Sequence, residues 1–289
     1  MSESSSAFCP GHVTAFFEIC DQDDDPLRKG SRGAGISLSL GATSRVTLGN
    51  ADASGISVKI NGKGEKADTT KSALESILGG ENTPLSVETA LDLPMEQGFG
   101  MSAAGTLSAS LALCSLLGLP SEKAYQASHV SEVSHRTGLG DVAGIKAGAV
   151  EIRLEPGLPP YGKAERIGAT GEMVLSIVGA PIKTPDVLTD PKKRAVISSA
   201  GRRCTSEFDA QRDLETLFAL GVEFVEEVEL SSKRVLEAMI VADSHGMATM
   251  AMLGNSLFCI GDTEELVESL ERFGPVYRCT IDQRGPRIL

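Results

Sequence analysis

The stretch from Leu93 to Leu117 places the strongest constraint on the fold, because it joins a glycine-rich turn directly to an apolar helix. Pro94 closes the strand before it, since proline has no N–H for a sheet ladder. Gly98-Phe99-Gly100-Met101-Ser102-Ala103-Ala104, which we call the glycine loop, then leads into an unbroken helix-favouring run. The first turn of a helix carries N–H groups without backbone partners, and the macrodipole adds partial positive charge, so this junction favours a bound phosphate. Ser102 adds a hydroxyl that can serve as a hard oxygen ligand for Mg²⁺.

Two common phosphate-binding patterns do not fit this stretch. The chain contains no Gly-x-x-x-x-Gly-Lys-Ser/Thr string. Gly98, Gly100 and Gly105 are spaced too widely for the dinucleotide fingerprint. A flexible turn followed by a tightly packed buried helix is the alternative interpretation. The combination of proline, two spaced glycines, serine and paired alanines in one register favours phosphate binding over that alternative.

Composition excludes several classes of function. The formal net charge of −12, the absence of tryptophan and the 4% aromatic content disfavour nucleic-acid binding. No apolar run approaches the length of a membrane span, and Met1–Ala7 lacks the features of a signal peptide. The six scattered cysteines are typical of reduced cytosolic thiols. We therefore expect a cytoplasmic protein without nucleic-acid or membrane partners, and a homodimer as the default assembly.

A second group of chemical residues follows the glycine loop. Ser121 predicts the start of a helix that runs to about Arg136, and His129 and Glu132 share one face of it because they are three residues apart. Asp141 then stands on a glycine-bounded turn. Each residue alone would suit a surface or capping role. Together they predict a corner of an active site.

The N-terminal part is open to two interpretations. Ala7–Ile19, interrupted by Pro10-Gly11-His12, predicts a strand, a turn, and then a second strand or a pocket wall. Arg28–Gly35 is a basic, glycine-rich segment that either wraps an anionic substrate, with Ser31 as a donor, or forms a hairpin turn. Further along, Asp68–Leu78 predicts a short helix closed by two glycines.

The Pro/Gly-rich stretch Pro156–Tyr161 is the best candidate for a domain boundary. It divides the chain into residues 1–160 and 161–289. Helices interleaved with a few strands predict an α+β second half. Arg153, just before the boundary, alternates onto one face of a strand, where an ordinary exposed position is the default.

Pro94 with the glycine loop resembles the ATP-phosphate loop of the GHMP kinases (galactose, homoserine, mevalonate and phosphomevalonate kinases), whose usual string is Pro-x-x-x-Gly-Leu-Gly-Ser-Ser-Ala-Ala. Met101 replaces the first serine of that string, and Ser102 retains the second. The third motif of the family, Thr-Gly-x-Gly-x-Gly-Gly, is not present in the sequence. Leu253-Gly254-Asn255-Ser256 stands roughly in its place.

The resemblance implies an α+β, two-domain GHMP-kinase fold. Its N-terminal domain would resemble domain 2 of ribosomal protein S5, and its C-terminal domain would be ferredoxin-like. It also implies ATP and Mg²⁺ as cofactors. The glycine loop would bind ATP, Ser102 and Glu132 would hold the metal, and Asp141 would accept the proton of the attacking hydroxyl.

Within the superfamily, several softer strings resemble those of the archaeal pantoate kinase family: Pro10-Gly11-His12, the loop Gly30–Gly35, Leu253–Ser256 and the ending Ile281-Asp282-x-x-Gly285-Pro286-Arg287. The resemblance implies phosphorylation of the primary hydroxyl of pantoate to 4-phosphopantoate in coenzyme A biosynthesis. Such a substrate needs a cation and several donors, and the candidates are Ser31, His129, Arg153 and Thr184. The alternatives are a GHMP kinase for another small alcohol, of the homoserine, shikimate or mevalonate type, and a GHMP-fold sensor that binds ligand without turnover.

Overall fold

Two β-sheets and the helices packed on them form the protein. A computed structural model describes residues 3–49, 55–81, 83–182 and 190–289. The strands in these ranges are β1 (Ser4–Cys20), β2 (Gly30–Leu48), β3 (Ile56–Ile60), β4 (Lys63–Gly64), β5 (Leu85–Leu91), β6 (Val150–Glu155), β7 (Lys163–Ile167), β8 (Glu172–Ile177), β9 (Gly246–Met250), β10 (Ser256–Gly261), β11 (Val276–Thr280) and β12 (Arg287–Ile288). The helices are α1 (Asp68–Leu78), α2 (Met101–Leu116), α3 (Ser121–His135), α4 (Asp141–Ala147), α5 (Pro191–Ala210), α6 (Leu214–Val228), α7 (Lys233–Asp243) and α8 (Thr263–Leu270).

The first sheet has the strand order β12-β1-β2-β5-β3-β4, and β6 joins β2 to β7. β2 is long enough to pair with β1 along most of its length, with β6 near its start and with β5 near its end. The second sheet has the order β11-β8-β10-β9. The α+β class expected from the sequence is confirmed. The domain division near residue 160 stays a prediction, and β7, which follows it, pairs with β6.

The turn predicted at Pro10-Gly11-His12 is wrong. β1 runs unbroken from Ser4 to Cys20. Its register against β2 shifts between Pro10 and Gly11 and again between Thr14 and Phe16. Such irregularities let a strand accommodate a proline without ending. Residues 30–35, expected in a loop or turn, instead form the start of β2.

Helix α2 packs on β1 and β2 of the first sheet and contacts α1 and α3. Its residues are apolar or small on every side, which is the pattern of a fully buried helix, and nearly the whole helix is buried. Three buried hydroxyl groups on it are paired with hydroxyls on neighbouring elements, because a buried polar group without a partner is costly. Ser108 lies 2.7 Å from Ser44 of β2, Thr106 lies 3.0 Å from Thr70 of α1, and Ser110 accepts a hydrogen bond from Ser128 of α3 at 3.0 Å.

None of the helices in the described ranges is both long enough and apolar enough to cross a membrane. All six cysteines are free thiols, and five of them are buried. They therefore behave as packing residues in this fold.

The Thr70–Thr106 pair provides a test of how α2 is held. Replacing Thr106 with valine should lower the free energy of unfolding by about 1–3 kcal/mol, because it leaves the Thr70 hydroxyl buried without its partner. The double variant Thr70→Val/Thr106→Val should recover most of that loss, because no unpaired hydroxyl remains. Urea denaturation of the wild type, Thr70→Val, Thr106→Val and the double variant measures both effects. Losses that simply add in the double variant would contradict a coupling between the two hydroxyls.

Candidate active site

A cavity of about 410 Å³ lies where the glycine loop, the turn before α4 and the loop after β9 converge. Its walls include residues 98–103, residues 137–141, Ser31 and the pair Met252 and Leu253. This volume suits a small-molecule ligand. The glycine loop and Asp141, predicted separately from the sequence, are therefore brought to one cavity.

The glycine loop keeps its shape through its backbone. Gly98 and Gly100 have φ values of 74° and 64°, a region that favours glycine. A Cβ on Gly98 would also stand 2.8 Å from the carbonyl oxygen of Ala251, so the loop after β9 packs directly on it. The carbonyl of Phe99 accepts a hydrogen bond of 2.9 Å from the backbone N–H of His12 in β1.

Met101 begins α2 with its side chain buried, and the methyl end of that side chain lies beside Gly11 of β1. The position that carries a serine in the usual GHMP string therefore serves packing in this chain. The hydroxyl that the usual string offers at this position is therefore absent, and the next residue, Ser102, carries the first hydroxyl of α2.

Ser102 and Glu132 meet across the α2–α3 interface. The hydroxyl of Ser102 donates a hydrogen bond of 2.7 Å to Glu132 Oε1. Glu132 is buried, and no described residue donates a hydrogen bond to its second oxygen, Oε2. Burial raises the pKa of Glu132 to about 7, Ser102 opposes this shift, and the nearby charge of Asp141 adds to it. No cationic side chain of the described residues therefore compensates the charge of the Glu132 carboxylate.

The uncompensated charge of Glu132 shows whether these residues could hold a metal. A buried carboxylate oxygen without a donor, next to a serine hydroxyl, is a donor set suited to Mg²⁺. Within the described ranges, no three His, Cys, Asp or Glu side chains are grouped to hold a metal by themselves. Mg²⁺ commonly takes one or two protein ligands and completes its shell with phosphate oxygens and water. The residues present fit that mode of binding.

Asp141 is the first residue of α4, and a quarter of its side chain is exposed. A Cβ placed on Gly138 would stand 2.9 Å from Asp141 Oδ2 and 2.8 Å from Glu132 Oε2, so both oxygens lie against the same glycine. Burial alone would raise the pKa of Asp141. The hydrogen bond and charge of His12, with a contribution from Arg153, outweigh burial and lower the pKa below its ordinary value.

A row of buried charged groups leads away from Asp141. His12 Nδ1 lies 2.9 Å from Asp141 Oδ1, and His12 Nε2 lies 3.2 Å from Glu151 Oε1. Arg153 Nη1 donates to the same oxygen of Glu151. Glu151 and Arg153 share one face of β6 because they are two residues apart. The sequence analysis named His12 within a string but gave neither His12 nor Glu151 a role.

Glycines in β2 make room for this row. A Cβ on Gly35 would stand 2.6 Å from His12 Nε2, and a Cβ on Gly33 would stand 3.1 Å from Arg153 Nη2. The glycines that suggested a loop in the sequence are therefore required by side chains that arrive from β1 and β6.

The four predicted substrate residues have different positions. Ser31 lines the cavity, and Arg153 lies behind Gly140, where a Cβ would stand 2.8 Å from its Nε. No described residue accepts a hydrogen bond from Arg153 Nε or Nη2. His129 is buried away from the lining, with Nε2 2.9 Å from the carbonyl oxygen of Lys29. Thr184 lies outside the described residues.

The loop after β9 forms another part of the cavity wall, through Met252 and Leu253. The backbone N–H of Met252 donates to the carbonyl of Thr14 in β1 at 3.1 Å, and Ser256 donates to the carbonyl of Gln97. Leu253–Ser256, which stands where the third family motif is missing, thus packs against the glycine loop.

Comparisons with known proteins agree with this geometry. The family model of the GHMP kinases N terminal domain matches residues 68–149. The chain is 33% identical to a pantoate kinase of Methanospirillum hungatei, over 98% of this chain and 96% of that protein. It is also 33% identical to a pantoate kinase of Thermococcus kodakarensis, over 90% and 88% of the two chains. A solved structure described as a phosphotransferase related to the CoA biosynthesis pathway superposes with a TM-score of 0.89 at 28% identity, covering 99% of this chain and 98% of that one. The chain belongs to the pantoate kinase family of GHMP kinases.

Proposed function

We propose that this protein phosphorylates the primary hydroxyl of pantoate with ATP, forming 4-phosphopantoate for coenzyme A synthesis. The observation that carries the proposal is the near full-length match to pantoate kinases. The cavity where the glycine loop and Asp141 meet is consistent with it.

The phosphoryl transfer uses two parts of the site. The N–H groups at the start of α2 and the glycine loop bind the phosphates of ATP, because the helix end carries unpaired donors and partial positive charge. Asp141, ionised through its low pKa, orients the hydroxyl of pantoate and accepts its proton as the new P–O bond forms.

Ser102 and Glu132 are the proposed ligands of Mg²⁺. When bound there, the metal would neutralise charge on the β- and γ-phosphates. The protein's own contribution is to hold the two oxygens ready, with Ser102 fixing the orientation of the Glu132 carboxylate.

Arg153 and Ser31 are the proposed partners of the carboxylate of pantoate. The guanidinium is 1% exposed, and two of its N–H-bearing nitrogens lack acceptors among the described residues, so an anion at the Gly140 side would satisfy them. Ser31 Oγ lies close to the same side of Gly140. The roles of His129 and Thr184 in substrate binding remain predictions, as does the homodimer.

Two other functions compete with this proposal. A kinase for homoserine would need a carboxylate near the amine of its substrate, whereas Arg153 and Ser31 present donors. A sensor without turnover would not need an ionised aspartate beside the phosphate loop. Turnover with pantoate, homoserine, mevalonate and shikimate in parallel separates these functions.

Replacing Asp141 with asparagine should lower kcat on pantoate by roughly 10²–10⁴-fold, because the amide cannot accept the proton. The affinity for ATP should stay close to that of the wild type, since Asp141 faces the acceptor. Coupled ADP release measures kcat, and calorimetry measures ATP binding. Wild-type turnover in the variant would reject Asp141 as the base.

Replacing Arg153 with lysine should raise KM for pantoate by about 10- to 100-fold, because a two-pronged, charge-assisted contact is lost. The neutral amide of pantoate should respond much less, so the preference for the acid over the amide should collapse. Arg166→Lys is the matched control, since Arg166 lies on β7 and its side chain is hydrogen bonded only to Gln283 among the described residues. An unchanged acid-to-amide preference in Arg153→Lys would contradict carboxylate binding by this residue.

Replacing Ser102 with alanine, or Glu132 with glutamine, should raise the Mg²⁺ concentration that gives half-maximal activity by tenfold or more, on the order expected for loss of a charged ligand contact. Ser115→Ala, an exposed position on the same helix, is the control. Activity titrations with Mg²⁺ at fixed ATP give the comparison. The same half-saturating Mg²⁺ in all variants would remove these residues from the metal site.

A further inference from the structure

His12 is buried between two carboxylates, one at each ring nitrogen. Nδ1 lies 2.9 Å from Asp141 Oδ1 and Nε2 lies 3.2 Å from Glu151 Oε1, and the ring is 0% exposed. An ionised carboxylate only accepts hydrogen bonds, and a neutral imidazole has one donor nitrogen. Both contacts are hydrogen bonds at once only when both ring nitrogens carry protons.

The ring has no room to turn away from these partners. A Cβ on Gly35 of β2 would stand 2.6 Å from Nε2, and a Cβ on Gly144 of α4 would stand 2.5 Å from the same atom. The backbone of His12 is held by the carbonyl of Phe99. Two glycines and a strand therefore fix the ring between Asp141 and Glu151.

The charges around His12 alternate in sign. α4 presents Asp141, and β6 presents Glu151 with Arg153 beyond it. β2 presents Gly35, and the glycine loop presents its backbone, so neither adds a titratable group against the ring. Burial lowers the pKa of His12, but the hydrogen bonds and charges of Asp141 and Glu151 outweigh burial and raise it above the ordinary value.

We propose that His12 is a positioning residue held as an imidazolium, which binds Asp141 Oδ1 and so presents Oδ2 to the hydroxyl of the substrate. Oδ2 faces Gly138, a residue of the cavity wall. Glu151, which touches neither the cavity nor Asp141, keeps the imidazolium charged. This inference rests on the proposed role of Asp141 as the base.

The sign of the pH dependence follows from the two shifts. The pKa of Asp141 is lowered, so its carboxylate persists as the pH falls below the ordinary range of an aspartate. The pKa of His12 is raised, so the imidazolium persists to a higher pH than that of an ordinary histidine and is lost as the pH rises through its raised value. Activity should accordingly decline on the alkaline side when His12 loses its proton.

The first test observes the ring directly and does not depend on activity. The chain has four histidines, so ¹⁵N NMR of histidine-labelled protein gives a small set of signals, and His12→Gln identifies the signal of His12. We expect both nitrogens of His12 to be protonated at a pH at which free histidine is neutral. A neutral His12 ring at that pH in the wild-type protein would overturn the proposal. If His12→Gln does not fold, the signals missing from His129→Gln, His135→Gln and His245→Gln assign His12 by elimination.

The second test measures how the ring acts through Asp141. In Glu151→Gln, the alkaline limb of the kcat profile and the NMR titration of His12 should move together to lower pH, because one negative partner is lost and Arg153 stays. In His12→Gln, kcat should fall about 10²-fold, as for a misplaced catalytic group. Its acid limb should move to higher pH, because the largest contributions that offset the burial of Asp141 come from His12 and are lost. The KM for ATP should not change.

The control is His245→Gln. His245 directly precedes β9 of the second sheet, and its Nδ1 lies 4.0 Å from Glu265 Oε2. Its replacement should leave the acid and alkaline limbs of the kcat profile unchanged. If the limbs of the kcat profile do not move in His12→Gln and Glu151→Gln while Asp141→Asn is inactive, the positioning role of His12 is overturned and the role of Asp141 as the base stands. Full activity of Asp141→Asn would instead overturn the base assigned under the proposed function.

Discussion

The site depends on one short stretch of β1, because His12 to Thr14 contacts three separate parts of the cavity. The backbone N–H of His12 binds the carbonyl of Phe99 and so fixes the glycine loop. Its ring binds Asp141 on α4. The carbonyl of Thr14 accepts a hydrogen bond from Met252, which fixes the loop after β9. The register of β1 against β2 shifts on both sides of this stretch, between Pro10 and Gly11 and between Thr14 and Phe16.

Burying ionised groups in this stretch requires that they compensate one another. An unpaired charge moved out of water costs several kcal/mol or more, whereas a chain of alternating charges with shared hydrogen bonds offsets much of that cost. Asp141, His12, Glu151 and Arg153 form such a chain from three elements. The arrangement also leaves no freedom for its members to reorient, which is the property that a catalytic carboxylate needs.

Local patterns in the sequence predicted the parts of the fold that local interactions determine. The glycine loop and the bounds of α1 and α3 followed from glycines and apolar runs, and the structure confirms these bounds, although Pro120 rather than Ser121 caps α3. The resemblance to GHMP kinases, and no local pattern, led us to expect Ser102 and Glu132 to act together, and they are hydrogen bonded. Such elements are readable because turn conformation and helix capping depend on a few neighbouring residues.

Contacts between distant residues were not readable in the same way. His12 and Asp141 are 129 positions apart, and His12 and Glu151 are 139 apart, so no spacing connects them. Gly33 and Gly35 suggested a loop because glycine usually marks a turn, yet here they leave space for Arg153 and His12. The signal available in the sequence was the position of Glu151 two residues before Arg153 on one predicted strand. That signal could not be interpreted without knowing which elements face this strand.

The two carboxylates at the cavity differ in how the protein compensates them, and this difference supports separate roles. Glu132 receives a hydroxyl and no cation from the described residues, and burial raises its pKa to about 7. Asp141, against the same glycine, receives His12 and has its pKa lowered. A carboxylate that the protein leaves uncompensated favours an external cation, so Glu132 suits a metal. A carboxylate that the protein already compensates has no such need, which agrees with the proposed role of Asp141 as the base. Pairs of acids whose environments move their pKa values apart commonly divide a reaction in this way.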